Sequence, residues 1–390
     1  MWQAENKVVL KEGKTNILSR KHLWMFSGAL HQWAHPPQEG ELTEIIQKNG
    51  TVLAYGMAGT GSIALRILGF GAPPISGFFA APALKKALTY RKQLGYFDQP
   101  ETNAFRLVHG EGDGLPGLVI DWYAGHVVIQ THHAGWHRWL TPICESLLAL
   151  LPQTPETVVA KNPTRGEKET VHFLKGDAPS TWIKEHGFRF LADWTEGQKT
   201  GMFLDQRVSR QLVKEWSAGK NVLNTFCYTG GFSVMALAGG ASHVTSVDVS
   251  AKAIAATDAH VQANFPGGSH QSVTADVLPW LAQHEDTYDL MVVDPPAFAK
   301  SVHHRHAAIK AYTRLNAMAL KNIRSGGLLF TFSCSQVVDN QQFRQALVSA
   351  AMESNRSLRL IQPLTQPADH PVNPFHPETE YLKGLLLYVE

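Results

Sequence analysis

From Val222 onward the chain alternates short apolar β-type runs with helical ones. VLNTF leads into a helical pattern, as does HVTSVDV; SVTADV follows. YDLMVVD and GGLLFTFSC are each succeeded by a helix, and GLLLYV closes the series. A strand, a helix and another strand, repeated, bring the chain back to the same end of a sheet each time, so the strands run parallel. Runs that are apolar on both sides of the pleat belong to strands covered by helices on both faces. The expectation is an α/β fold in which a ligand sits at the carboxyl ends of the strands, where strand order reverses.

At 390 residues the chain exceeds one ordinary core, which predicts two or three domains. Residues 7–70 hold short β-like runs (Lys7–Leu10, Leu42–Gln47, Thr51–Met57, Ser62–Leu68) broken by Gly-Lys, Pro-Pro, Asn-Gly and Gly-Thr-Gly turns, the texture of a small β-rich domain. Within it, Ser19–Gly28 sets Arg20, Lys21 and His22 beside Trp24 and Phe26. Such a cluster suits a nucleic-acid backbone and its bases; equally, the aromatics would fill the small core of a turn. Gly69–Gly77 reads as a boundary. Beyond it a helix over Ala81–Leu94, strands at Leu118–Asp121, Val127–Gln130 and Thr157–Ala160, and a helix over Leu140–Leu151 make an α+β middle domain ending near residue 185. His132, His133 and His137 read as a surface cluster without a metal, since no carboxylate or cysteine completes a ligand set.

Bulk properties exclude several classes. No run of eighteen uncharged apolar residues occurs, which argues against a membrane span, and MWQAENKVVLKEGK lacks the apolar stretch of a secretory signal. Three widely spaced cysteines make neither a disulfide framework nor a zinc-finger pattern, so the chain reads as cytoplasmic. A net charge of +2 and a pI near 8.3 neither require nor exclude a nucleic-acid partner.

The first strand of the C-terminal series ends in NTFCYTGGF and enters a helix over Ser233–Ala238. Gly230 and Gly231 permit a sharp turn with room for a ligand against the main chain. The pattern is neither GxGxxG nor a phosphate-binding GK[ST] loop, which disfavours a nicotinamide-dependent oxidoreductase. Asp248 ends the second strand, where a carboxylate accepts both hydroxyls of a ribose. Asp276 ends the third, suited to an adenine amino group or to capping the next helix, and Asp294 ends the fourth. A glycine turn and three carboxylates at four successive strand ends point to a cofactor carrying a nucleoside.

At DPPAF followed by TFSCS the sequence resembles the bacterial large-subunit ribosomal RNA cytosine-5 methyltransferases. The resemblance runs the length of the chain, through SRKHLWMFSGAL, HGEGDGLPGLVID, KTGMFLDQRVSR, NTFCYTGGF, SVDVS, VVDPPAF, LLFTFSCS and QPADHPV. It implies a PUA-like RNA-binding domain (1–73), a central α+β domain (74–188) and a Rossmann-like class I methyltransferase domain (189–390). It further implies S-adenosylmethionine as cofactor, held by Gln206, Phe226, Tyr228, Gly230, Asp248, Asp276 and Asp294. Ribosomal RNA would be met by Arg20, Lys21, Trp24, Lys199, Arg207 and Arg210, although Lys199 and either arginine has the alternative of a nearby carboxylate. A second copy of the chain is the candidate protein partner, and no metal is called for.

Carbon 5 of cytosine is a poor nucleophile. A thiolate added to carbon 6 turns the ring into an enamine, whose carbon 5 attacks a methylsulfonium. Cys334, just after the strand Leu328–Ser333, is the expected nucleophile, with Asp294, protonated or sharing a proton, hydrogen-bonded to ring nitrogen 3 and Phe298 or Pro295 packed against the base. Cys144, on an apolar helix face, and Cys227, in the glycine turn, read as small buried hydrophobes. His303–His306 read as a partly cationic loop near RNA, and Tyr312 and Arg314 as RNA contacts or solvent-facing groups. A guanine-N7 methyltransferase needs no cysteine; a uridine-5 enzyme uses the same covalent logic; a silent RNA-binding or ribosome-assembly protein has no use for the four strand-end groups.

Overall fold

The structure, a computed structural model, describes residues 2–162, 170–284, 287–299 and 301–390. The chain divides into two compact units with interleaved segments. One holds residues 1–184, 191–204 and 368–379, the other residues 185–190, 205–367 and 380–390.

The first unit contains two sheets. Six strands between Asn6 and Phe70 form the N-terminal one, cored by Val8, Met25, Ile45, Ala54, Leu65 and Ile67. The basic-aromatic segment contributes a strand of its own, Trp24–Phe26, antiparallel to Ile63–Phe70. Its alternation sends Leu23 and Met25 into the core, while Trp24 stays half-buried and Phe26 is 48% exposed. The small core is therefore filled by its neighbours and not by the two aromatics. A five-stranded sheet follows (Ala104–His109, Leu118–Tyr123, His126–Thr131, Thr157–Asn162, Thr170–Lys175), packed on helices Ala81–Gln93 and Leu140–Leu150, with Cys144 in that core. His133 departs from the expected surface cluster: it is buried, 2.9 Å from Glu39, and burial lowers its pKa to about 4. The strands Ser180–Glu185 and Phe188–Asp193 pair as a separate hairpin.

The second unit carries the predicted parallel sheet. Its strands are β1 (Asn221–Thr225), β2 (His243–Asp248), β3 (His270–Thr274), β4 (Tyr288–Val293), β5 (Ile323–Ser333), β6 (Leu358–Leu364) and β7 (Lys383–Val389). Their order is β3-β2-β1-β4-β5-β7-β6, with β1 to β5 parallel and β7 antiparallel to both its neighbours. Order reverses at β1, between β2 and β4, which places the ligand crevice beyond its carboxyl end. Successive residues supply opposite faces: Leu223, Met291, Val293 and Leu329 join one core, Val222, Leu290, Val292, Leu328 and Phe330 the other.

Helices α1 (Arg207–Trp216), α2 (Gly231–Ala238), α3 (Ala251–Asn264), α4 (Val277–Gln283), α5 (Arg305–Asn322) and α6 (Asn340–Glu353) complete the unit. Local chemistry starts several of them: Ser250 caps α3, Asp276 caps α4, and Asp339 with Gln342 forms a capping box on α6. Among the described residues no helix is long and apolar enough to cross a membrane.

Candidate cofactor and nucleophile site

The turn from β1 into α2 is strained. Phe226 (φ 55°), Tyr228 (φ 48°) and Gly230 (φ 76°) all take the left-handed region, at alternate positions. Each of the two aromatic residues costs on the order of 1–2 kcal/mol there, so its neighbours must hold it. The backbone N–H of Cys227 donates to Val247 O (3.1 Å), that of Tyr228 to Asp248 Oδ2 (3.0 Å) and that of Gly230 to Cys227 O (2.8 Å), while Thr257 Oγ1 donates to Tyr228 O (2.9 Å). The glycines serve packing: a Cβ on Gly230 would lie 2.5 Å from Thr257 Cγ2, and one on Gly231 2.9 Å from Arg210 Cδ. Their missing side chains thus admit α3 and α1 close to the turn.

The three strand-end acids differ. Asp248 is half-buried and accepts from the N–H groups of Tyr228 and Ser250 (2.9 Å for the latter), so it fixes the turn. Asp276 is exposed and accepts from Leu278 N–H at 3.2 Å, the helix-capping role open in the sequence. Asp294, half-buried at the end of β4, accepts from Gln206 Nε2 at 3.0 Å. Gln206 is buried, and its Oε1 has no hydrogen-bond partner among the described residues. Carboxylates and an amide oxygen are acceptors. The ribose diol, adenine amino group and ammonium of S-adenosylmethionine are donors, and the residues present fit that group.

Arg210 is committed elsewhere. Its guanidinium grips Glu185 in two hydrogen bonds of 2.6 and 2.7 Å with both side chains buried, so the carboxylate alternative holds and a phosphate contact does not. Arg207 is buried as well. Arg20, Lys21 and Lys199 are exposed; Lys199 Nζ lies 4.1 Å from the Phe203 ring centre, and Lys21 Nζ 5.5 Å from that of Phe375. The Trp24 indole N–H donates to Glu111 at 2.8 Å.

Cys334 follows β5 directly and is partly exposed. Its Sγ lies 3.9 Å from Pro295 O, in the segment after Asp294. Cys227, by contrast, is buried, and burial pushes its thiol up to about 12; burial also raises Cys144. Of the three sulfurs, only that of Cys334 combines partial exposure with a position beside the Asp-Pro-Pro segment. Phe298 packs its ring 4.7 Å from that of Tyr312. Tyr312 is fully buried and shares a hydrogen bond with Ser335 Oγ (3.1 Å), which corrects the surface role expected of it, whereas Arg314 and His303, His304 and His306 are exposed. Sequence reasoning missed Lys383, whose Nζ donates to Ser335 O at 3.0 Å. A single charge inside the apolar run YLKGLLLYV was the signal that marked it.

Comparison with known proteins identifies the family. The profile of the S-adenosylmethionine-dependent methyltransferase family matches residues 106–387, and that of a PUA-like domain residues 8–70. The chain is 35% identical to "Ribosomal RNA large subunit methyltransferase I" of Photobacterium profundum, over 98% of this chain and 99% of the relative. It is 34% identical to the protein of that name from Shigella boydii, over 97% and 98%. A Streptococcus mutans structure with a provisional SAM-dependent methyltransferase assignment shares the fold, with a TM-score of 0.81 at 24% identity over 98% of this chain and 99% of that one. The chain thus belongs to the S-adenosylmethionine-dependent methyltransferase family, in the group of full-length relatives that carry the name ribosomal RNA large subunit methyltransferase I.

Proposed function

We propose that the protein methylates carbon 5 of a cytosine in large-subunit ribosomal RNA, in the cytoplasm, with Cys334 as covalent nucleophile. The observation that carries the reading is the sulfur of Cys334, partly exposed, 3.9 Å from Pro295 O in the segment that begins at Asp294. The relatives' names supply the RNA class.

Asp248, Gln206, Phe226, Tyr228 and Gly230 would hold the cofactor, with Asp276 at the adenine end. Bound S-adenosylmethionine supplies an electrophilic methyl group on a sulfonium. The chain's own residues prepare the acceptor. Cys334 thiolate adds to carbon 6, forming an S–C6 bond, and the π electrons move toward carbon 5 and nitrogen 3. Asp294, in its protonated form, donates a hydrogen bond to nitrogen 3 and offsets the charge developing there. Once carbon 5 bears the methyl group, loss of its proton and cleavage of the S–C6 bond restore the aromatic ring and the thiolate. A paired target base must leave its stack for the sulfur to reach carbon 6. Exposed Arg20, Lys21 and Lys199 would contact phosphates, and Trp24 a base or sugar; Arg210 braces α1 and α2.

Incubation with S-adenosylmethionine and unmodified large-subunit RNA, followed by nucleoside mass spectrometry, tests the reading. It predicts 5-methylcytidine. 5-Methyluridine or 7-methylguanosine in its place would overturn the base assignment, and no methylated nucleoside would point to a silent binding protein.

A further inference from the structure

Lys383 is 4% exposed at the start of β7, in a strand otherwise apolar from Leu385 to Leu387. Across the antiparallel ladder its Cα faces Ser333, the residue before Cys334. Its Nζ donates to two carbonyls, Ser335 O at 3.0 Å and Tyr381 O at 2.7 Å, and the described residues give it no carboxylate within salt-bridge distance. An ammonium without an anionic partner costs several kcal/mol to desolvate. Burial accordingly pulls its pKa down, and among the charges that oppose this pull Cys334 stands first, ahead of Glu380 and Asp339. Lys383 is thus tied to the residues on both sides of Cys334, to Ser333 across the ladder and to Ser335 through its carbonyl.

The surroundings fix that relation. Ser335, whose carbonyl Lys383 holds, also shares its hydroxyl with the buried phenol of Tyr312 at 3.1 Å and accepts from Ala299 N–H at 3.5 Å. The residue after the cysteine is thereby anchored on three sides, by β7, by α5 and by the segment after Asp294. Two backbone carbonyls hold the buried ammonium in place beside the Cys334 segment.

We propose that Lys383 is the positioning residue that keeps Cys334 a thiolate and receives it back when the adduct breaks. This rests on the reading of Cys334 as nucleophile. In the resting state the thiol proton goes to solvent and the electron pair stays on sulfur, paired with the Lys383 ammonium. Addition to carbon 6 moves that negative charge onto the base. Cleavage of the S–C6 bond returns the pair to sulfur, where the same ammonium stabilises it, so Lys383 assists both the first and the last step without itself exchanging a proton.

The experiment measures the rate of Cys334 alkylation by iodoacetamide against pH, by peptide mass spectrometry on the full-length protein. Wild type, Lys383→Met, Lys383→Gln and Lys383→Arg are compared, with S-adenosylmethionine binding as the check on folding. Gln keeps two N–H donors for the carbonyls and covers the case in which Met does not fold. The midpoint is expected to rise by about one pH unit or more in Met and Gln, with alkylation near pH 7 slowed about tenfold, and to return toward wild type in Arg. The acid limb of the kcat/KM profile should move with it. A Met or Gln variant that binds the cofactor and alkylates with the wild-type pH midpoint would overturn the proposal. Cys334→Ala separates the two claims: methylation that survives it removes the nucleophile reading, whereas a wild-type midpoint in Lys383→Gln removes only the lysine's role.

Discussion

The backbone N–H of Tyr228 donates to Asp248 Oδ2 at 3.0 Å, tying a left-handed residue of one strand's exit turn to the carboxylate that ends the neighbouring strand. One side chain therefore shapes the turn at the carboxyl ends of two neighbouring strands. Asp248→Ala is expected to weaken S-adenosylmethionine binding by tenfold or more and to cost about 1.5–3 kcal/mol of stability, as for hydrogen bonds to a charged group. Asp248→Asn, which keeps one acceptor oxygen, should lose less of both. Calorimetric titration and urea unfolding measure the two effects, and an Ala variant that binds like wild type would detach Asp248 from the cofactor.

At Gly230 two penalties coincide. A methyl group would sit 2.5 Å from Thr257 Cγ2, and the backbone is at φ 76°. Gly230→Ala should cost about 1–2 kcal/mol for the left-handed conformation and about 1–3 kcal/mol more for overpacking. Adding Thr257→Ser, which removes Cγ2 and keeps the hydroxyl bonded to Tyr228 O, relieves only the second part, so denaturation midpoints should show partial recovery. Full recovery would mean that the backbone conformation carries no strain.

Arg210 and Glu185 form a buried, bidentate pair. Removing one partner leaves an uncompensated buried charge, and Glu185→Ala should destabilise by about 3–5 kcal/mol. Replacing both by apolar residues of similar volume should recover most of that loss. RNA affinity gives a second readout: each phosphate contact contributes about 0.9 to the slope of log K against log salt. Lys21→Ala should lower the slope by about that much, and the paired Arg210 replacement should leave it unchanged.

Burial keeps the Cys227 thiol protonated up to about pH 12 in the fold. A pKa raised on folding contributes stability below the unfolded value and loses it above. Stability should therefore be flat with respect to this group below about pH 8.5 and fall as pH rises beyond it. Cys227→Ala should flatten that alkaline slope and retain methylation. At pH 8 iodoacetamide should label Cys334 well before Cys227; equal labelling would show that the turn opens.

How much was legible in the sequence follows from range. The alternation after Val222 announced the parallel sheet because its central strands β1, β4 and β5 carry contiguous apolar runs covered on both faces. Strand β6, LRLIQPL, escaped it: the strand lies at the sheet edge, mostly exposed, with a register shift between Leu360 and Gln362 and a proline at 363, so neither hydrophobicity nor alternation marks it. The strand-end acids were visible as local motifs. Their partners were not: Gln206 meets Asp294 and Glu185 meets Arg210 only through tertiary structure, across 88 and 25 positions. Tyr312 looked like a surface residue beside Arg314, yet the packing of α5 against Phe298 and Phe343 buries its ring.

The sulfur of Cys334 at carbon 6 of a cytosine is the claim on which the catalytic account stands. Large-subunit RNA carrying 5-fluorocytidine, which has no carbon 5 proton to lose, should arrest the reaction after methyl transfer. The account predicts a covalent protein–RNA adduct that depends on S-adenosylmethionine, maps to the Cys334 peptide and vanishes in Cys334→Ala together with methylation of normal RNA. Methylation of normal RNA at near the wild-type rate by Cys334→Ala, or an adduct on another residue, would contradict it.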